Sequence, residues 1–204
     1  MTASVKDDHT GITFRETMAG GFALGATDPE AGAKGTGELA MHATIHIHDI
    51  DAFIADPHHQ AKLTGSIDFA PLGIGMKAEH GVFGLFSPSG DPALTYMVYE
   101  LGFAHAGQRW YLAGKKHVKL GSPLRLWGET TTLYTTLHQG ADASGPVKGA
   151  GVLSLGVVDL LKLLGTLEAT DSDSLLESAS AKAKFFGFFS QELTRTYVLQ
   201  QPDT

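Results

Sequence analysis

Histidines supply the first candidate chemistry. His42, His46 and His48 fall in the stretch Leu39 to His48, where Met41, Ala43, Ile45 and Ile47 take the alternate positions. Side chains on a strand point to opposite faces with period two, so the three imidazoles share one face with Thr44. Neutral imidazoles two residues apart can grip one metal ion, and Asp49 and Asp51 are close by in sequence. A metal centre needs three convergent ligands, and the same face reads more simply as the wet side of a strand. The expectation is a solvent-facing histidine row with no metal. His58 and His59, just after Pro57, read as surface-turn residues.

A second set of groups is the one a hollow barrel could use on a hydrophobic substrate: Tyr99, Glu100, Tyr111, Glu129 and Tyr134. Local enzyme motifs are missing. There is no Gly-x-Ser-x-Gly elbow, no His-Glu-x-x-His and no phosphate loop. GTGELA at Gly35 and GIGMKA at Gly73 have the glycine spacing of a dinucleotide fingerprint but follow no strand that leads into a helix, so both read as loops and no cofactor is expected.

These groups need elements to hold them. Thr95 to Val118 reads as an antiparallel hairpin: Met97, Tyr99, Leu101 and Phe103 share one face of the first arm, and Trp110, Leu112, Gly114 and Val118 one face of the second. Ala104 to Gln108 is the expected loop, with Gly107 free to take positive φ. Phe14 to Leu24, Leu39 to His48, Lys62 to Phe69, Gly81 to Phe86 and Thr130 to His138 add further strands. Asp49 caps a helical turn, Ile50 to Ala55, stopped before Pro57. With no helix long enough to cross between parallel neighbours, the fold class is mainly β, an antiparallel barrel or sandwich of about seven to eight strands. Small inward residues at Ala43 and Gly65 either open a ligand cavity or fit a tight taper.

The last third changes character. Gly140 to Gly151 is a polar connection, Val152 to Leu164 an apolar run from strand into helix, and Ser174 with Glu177 a capping box. An amphipathic helix follows, with Leu175, Ala179, Phe186, Phe189, Leu193 and Tyr197 on one stripe. Phe185, Phe186, Phe188 and Phe189 span too wide an arc for one stripe, which puts Phe186 and Phe189 on the body and Phe188 nearer the rim. The chain of 204 residues is read as one domain, a β core over about 13–140 and an apolar and helical tail over about 150–198.

Composition excludes several classes. A formal charge of −7, with Lys and Arg scattered, argues against nucleic acid and anionic membranes. The absence of cysteine removes disulfides, thiol catalysis and thiolate metal sites. No signal-like N-terminus and no apolar run of transmembrane length is present, which gives a cytoplasmic expectation.

The pieces FRETMAGGFALG, IDAFIADPHHQAKLTGSI, GVFGLF with MVYELGFAHAGQRWYLAGKKHV, TTTLYTTLHQG, and GVLSLGVVDLLKLLGTLEAT with FFGFFSQEL resemble, in order, an appended domain of cholesterol-oxidase-like GMC oxidoreductases, some of which also carry an α/β-hydrolase region. The flavin fingerprint and the catalytic end of those enzymes are not in these residues, so the resemblance carries over no flavin chemistry. It implies a non-catalytic, lipid-related module that binds a sterol- or fatty-acid-like ligand or docks onto a lipid-modifying oxidoreductase. Candidate ligand contacts are Tyr99, Phe103, Trp110, Tyr111 and Tyr134; Phe185 and Phe188 are candidates for a partner or homo-oligomer interface. The alternatives are a small barrel isomerase or hydrolase and a purely structural, oligomerising protein.

Overall fold

The structure is a computed structural model and describes residues 9–119, 130–156, 165–172 and 174–197. Eight antiparallel strands close into a barrel. They are β1 (Gly11–Leu24), β2 (Gly37–Ile47), β3 (Gln60–Phe69), β5 (His80–Pro88), β6 (Leu94–His105), β7 (Gln108–Lys119), β8 (Thr132–Gln139) and β9 (Val147–Ser154). Each pairs with the next in that order, and β9 returns to β1. Two short strands stand off the ring: β4 (Gly73–Ala78) on β3 and β10 (Glu168–Thr170) on β1. Helices α1 (Pro29–Gly32), α2 (Ile50–Ala55) and α3 (Leu175–Tyr197) complete the described chain.

Closure depends on glycine where β1 meets β9. A Cβ on Gly20 would run into the Val152 carbonyl oxygen, and one on Gly151 into that of Gly21, so only bare backbones bring these strands to pairing distance. The central hairpin is tighter than its sequence suggests. Ala106 and Gly107 take φ of 48° and 74°, and His105 already pairs with Gln108, so a two-residue turn with both φ positive replaces the five-residue loop.

The core follows from the alternation. Leu63, Ile67, Phe69, Met97, Tyr99, Leu101, Phe103 and Leu112 are buried in one continuous cluster, with Trp110 partly buried at its edge. Asp49 caps α2 as expected, its carboxylate accepting from the backbone N–H of Asp51 and Ala52.

Three further readings of the sequence need correction. GIGMKA is strand β4, and GTGELA runs into β2 at Gly37, because free sheet edges beside β3 and β1 take up segments whose glycines alone suggest turns. The glycine-rich connection after Gly140 turns into strand at Val147, since Gly149 and Gly151 leave room for the Phe22 ring. The apolar run beyond Gly156, residues 157–164, lies outside the described residues, as does Glu129.

The third correction is the phase of α3. Ser174 Oγ accepts from the Glu177 backbone N–H at 3.2 Å, as a cap should. The face turned to the barrel is Ala181, Phe185 and Phe188, with Phe189 and Leu193 beside it. Leu175 and Phe186 point outward, at 90% and 39% exposure. Spacings of four and then three from Ala181 fit one helical stripe, and Phe186 sits about 100° from Phe185. Among the described residues no helix is long and apolar enough to cross a membrane.

Candidate functional site

Each barrel strand sends alternate side chains inward, and on two strands that rule carries a charge into the core. On β1 the inward set is Phe14, Glu16 and Met18; on β7 it is Leu112, Gly114, Lys116 and Val118. Glu16 and Lys116 are each 2% exposed at the side chain, with Nζ 3.9 Å from Oε2. From β6, Tyr99 completes the group. Lys116 Nζ donates to the Tyr99 hydroxyl at 3.1 Å and lies 4.7 Å from the centre of its ring.

The electrostatics of this trio are those of charge in a dry medium. Burial pushes the Lys116 ammonium below its usual pKa, and the Glu16 carboxylate opposes that only in part. Burial, and then the charge of and hydrogen bond to Glu16, push the Tyr99 phenol well up. Tyr99 is therefore a neutral phenol. The trio is not saturated: Lys116 uses one of its three N–H donors within the described residues, and Glu16 Oε1 is buried with no hydrogen-bond partner there.

One barrel end is closed over this trio by rings. Phe83 packs edge-on to Tyr99 at 5.2 Å, Phe14 edge-on to Phe83 at 6.0 Å, and Phe185 of α3 lies 5.6 Å from Phe14. Further along α3, Phe188 sits 4.7 Å from the His59 ring and edge-on to Phe53 at 6.1 Å. Phe86 and His59, which flank Phe188, hold φ of 52° and 43°. Such values are strained for bulky side chains. Lys184 on α3 meets Asp51 on α2 at 2.7 Å, an exposed pair. A groove of 730 Å³ runs beside the helix, past Phe86, Leu94, Phe188 and Arg195.

The other expected ligand contacts separate. Phe103 is inward, and with Trp110 it borders a 450 Å³ recess at the opposite end. Tyr111 and Tyr134 face outward. Tyr111 donates to Glu100 at 2.6 Å, and burial followed by that carboxylate raises its pKa. Tyr134 stacks on His117 at 5.2 Å, which leans on Tyr96, in an outer groove of 610 Å³ with Glu100, Lys115 and Lys119. Of the four described polar groups expected in a cavity, Tyr99 is interior, and Glu100, Tyr111 and Tyr134 are not. Phe185 and Phe188, expected at a partner interface, are covered by their own chain at 6% and 9% exposure.

The histidine face is a hydrogen-bonded ladder. His42 Nε2 donates to Asp68 at 3.2 Å, since a carboxylate only accepts, which leaves Nδ1 of the neutral ring to accept from Thr17 at 3.1 Å. Thr13 spends its proton on the Ile45 carbonyl, so His46 Nδ1 donates to Thr13 and Nε2 accepts from Thr64 at 2.9 Å. Burial, then Lys62 and His48, lowers the pKa of His46. His48 is exposed. Among the described residues no group of three His, Asp or Glu could hold a metal ion.

Sequence reasoning missed Glu16 and Lys116. The signal was parity: Lys116 falls between Gly114 and Val118 on the apolar face of its strand, and Glu16 between Phe14 and Met18. No family model, no curated protein and no solved structure matches this chain.

Proposed function

We propose that this barrel is a small-molecule binding module that takes an apolar molecule with a neutral oxygen function into its interior and holds that oxygen among Glu16, Tyr99 and Lys116. One observation carries the reading: a charged pair and a phenol sit buried among mainly apolar side chains, with Glu16 Oε1 unpartnered among the described residues. Buried ion pairs seldom add stability over a well-packed apolar replacement, so a use other than stability is the simpler ground for this one. An alcohol fits the unused capacity, since its O–H can donate to Oε1 while its oxygen accepts from Lys116.

The charge balance selects the head group. Glu16 and Lys116 together are neutral, and an ionised carboxylate added beside them would leave a net negative charge in a dry interior, at a cost of several kcal/mol. Within the sterol-like or fatty-acid-like class suggested by the resemblance to appended domains of cholesterol-oxidase-like enzymes, this favours the sterol-like or fatty-alcohol end. Entry goes through the end under α3, where Phe185 packs on Phe14 by its ring and the Lys184–Asp51 pair is exposed to solvent, so displacing Phe185 itself costs apolar contact rather than a buried polar one. A second reading, proton transfer within a hydrophobic substrate, draws on the same Oε1 as base and on Tyr99 as acid. Docking on an oxidoreductase through Phe185 and Phe188 loses its exposed rings.

Mass spectrometry of organic extracts of the purified chain tests the reading. The expected result is a stoichiometric neutral lipid that is lost in a Glu16→Gln, Lys116→Met double variant. Equal recovery from that variant would move the molecule out of the interior. A stoichiometric fatty acid with no neutral lipid would contradict the choice of head group.

A further inference from the structure

We propose that Lys116 captures an apolar aldehyde or ketone as an imine, with Tyr99 protonating the departing oxygen and Glu16 serving as counter-charge to the iminium. This rests on the reading of the interior as a site for a neutral oxygen function and extends it from alcohols, which are only held, to carbonyl compounds, which react. Three placements support it. The amine reaches the barrel axis from β7 and keeps two of its N–H donors unused within the described residues. A neutral phenol stands 3.1 Å from the amine nitrogen, within reach of an oxygen on any carbon that nitrogen attacks. A carboxylate, itself in contact with that phenol, lies 3.9 Å away, with one oxygen unpartnered among the described residues. Burial also favours the free amine, the nucleophilic form.

The step balances without an outside reagent. Glu16 takes one proton from the ammonium, and the free amine adds to the carbonyl carbon as the carbon–oxygen π pair moves onto oxygen. Tyr99 protonates that oxygen and regains a proton from the adduct nitrogen. The nitrogen lone pair then forms the carbon–nitrogen double bond and expels the hydroxyl as water, with Glu16 returning the proton it took. Ammonium plus carbonyl becomes iminium plus water, and Glu16 is a carboxylate at the start and the end. The interior carries the same charge throughout, so capture adds no uncompensated ion to a medium that penalises one. Exclusion of bulk water by the Phe14 and Phe83 rings slows the reverse hydrolysis.

Lys115 provides an internal control, since it is the next residue on the same strand and points outward over the Tyr96 ring. The full chain is incubated with octanal and cyanoborohydride, which reduces an imine to a stable amine, then digested and sequenced by tandem mass spectrometry. In parallel, binding of 1-octanol, which has the same chain and no carbonyl, is measured by calorimetry. Label on Lys116 should exceed label on Lys115 several-fold, since burial lowers the pKa of Lys116 and leaves more of it as free amine. Tyr99→Phe should slow labelling of Lys116 several-fold while Lys115 is unchanged. If octanol binds and Lys116 stays unlabelled, or labels no faster than Lys115, the imine is overturned while the binding reading stands. If octanol does not bind and Lys116 is unlabelled, both fall.

Discussion

Lys116 Nζ stands 3.9 Å from Glu16 Oε2 with both side chains 2% exposed, which joins β7 to β1 across the interior through charge rather than through hydrocarbon. Each group alone would be a buried, uncompensated ion. Lys116→Met should therefore cost about 3–5 kcal/mol, the range seen when one member of a buried pair is removed. Glu16→Leu together with Lys116→Met should return most of that loss or exceed the starting stability. A double-mutant cycle by urea unfolding measures the coupling; additive losses would mean that the two charges do not interact.

The ring contacts of α3 make a contrasting pair of predictions. Phe188, packed on Phe53, His59 and Phe86, should cost about 3–5 kcal/mol on truncation to alanine. Phe186→Ser, on the open face, should stay within about 0.5 kcal/mol. Thermal and urea unfolding of the two variants would show it, and a reversed order would return α3 to the phase expected from sequence.

Asp68 gives the acid limb a defined sign. The Gly75 backbone N–H, at 2.6 Å, and then His42 hold its carboxyl below the usual range. A carboxyl with a lowered folded pKa adds stability that is present above its unfolded pKa and lost as pH falls through the folded value. Melting temperature should therefore fall less steeply in Asp68→Asn than in the wild type as pH drops from about 5 toward 2. Parallel acid limbs would show that the Gly75 and His42 contacts are not kept in solution.

The turn between β6 and β7 can be improved. Ala106 holds φ of 48° ahead of Gly107, and Asn accepts that conformation at lower cost than Ala. Ala106→Asn should raise stability by up to about 1 kcal/mol by chemical denaturation, a share of the roughly 1–2 kcal/mol that the left-handed region costs an ordinary residue. A loss would argue against the two-residue turn.

Period two made the barrel legible. Where strands alternate cleanly, as in Leu63 to Phe69 and Met97 to Phe103, one face is buried as read, and Asp49 marks the start of α2. What stayed hidden depends on pairing that glycine content masks. Gly149 and Gly151 are strand because Leu24 and Phe22 of β1, distant in sequence, pair with them, and Gly73–Ala78 is strand because it folds back on β3 just before it. The rim position expected for Phe188 failed because the α2 and β5 surface, unseen from local sequence, selects which stripe of α3 is covered. Glu16 and Lys116 were visible by parity, but a charged residue on an apolar face is commonly discounted, and only closure of the sheet brings the two strands together.

Calorimetric titration of 1-octanol into the wild-type chain and the Glu16→Gln, Lys116→Met double variant tests most directly whether the interior trio is a binding site. The expected result is one molecule bound per chain in the wild type and about tenfold weaker binding in the variant, the loss of roughly one charge-assisted hydrogen bond. Equal affinity in both chains would assign the alcohol to an outer groove, and no binding to either would contradict the account of the interior.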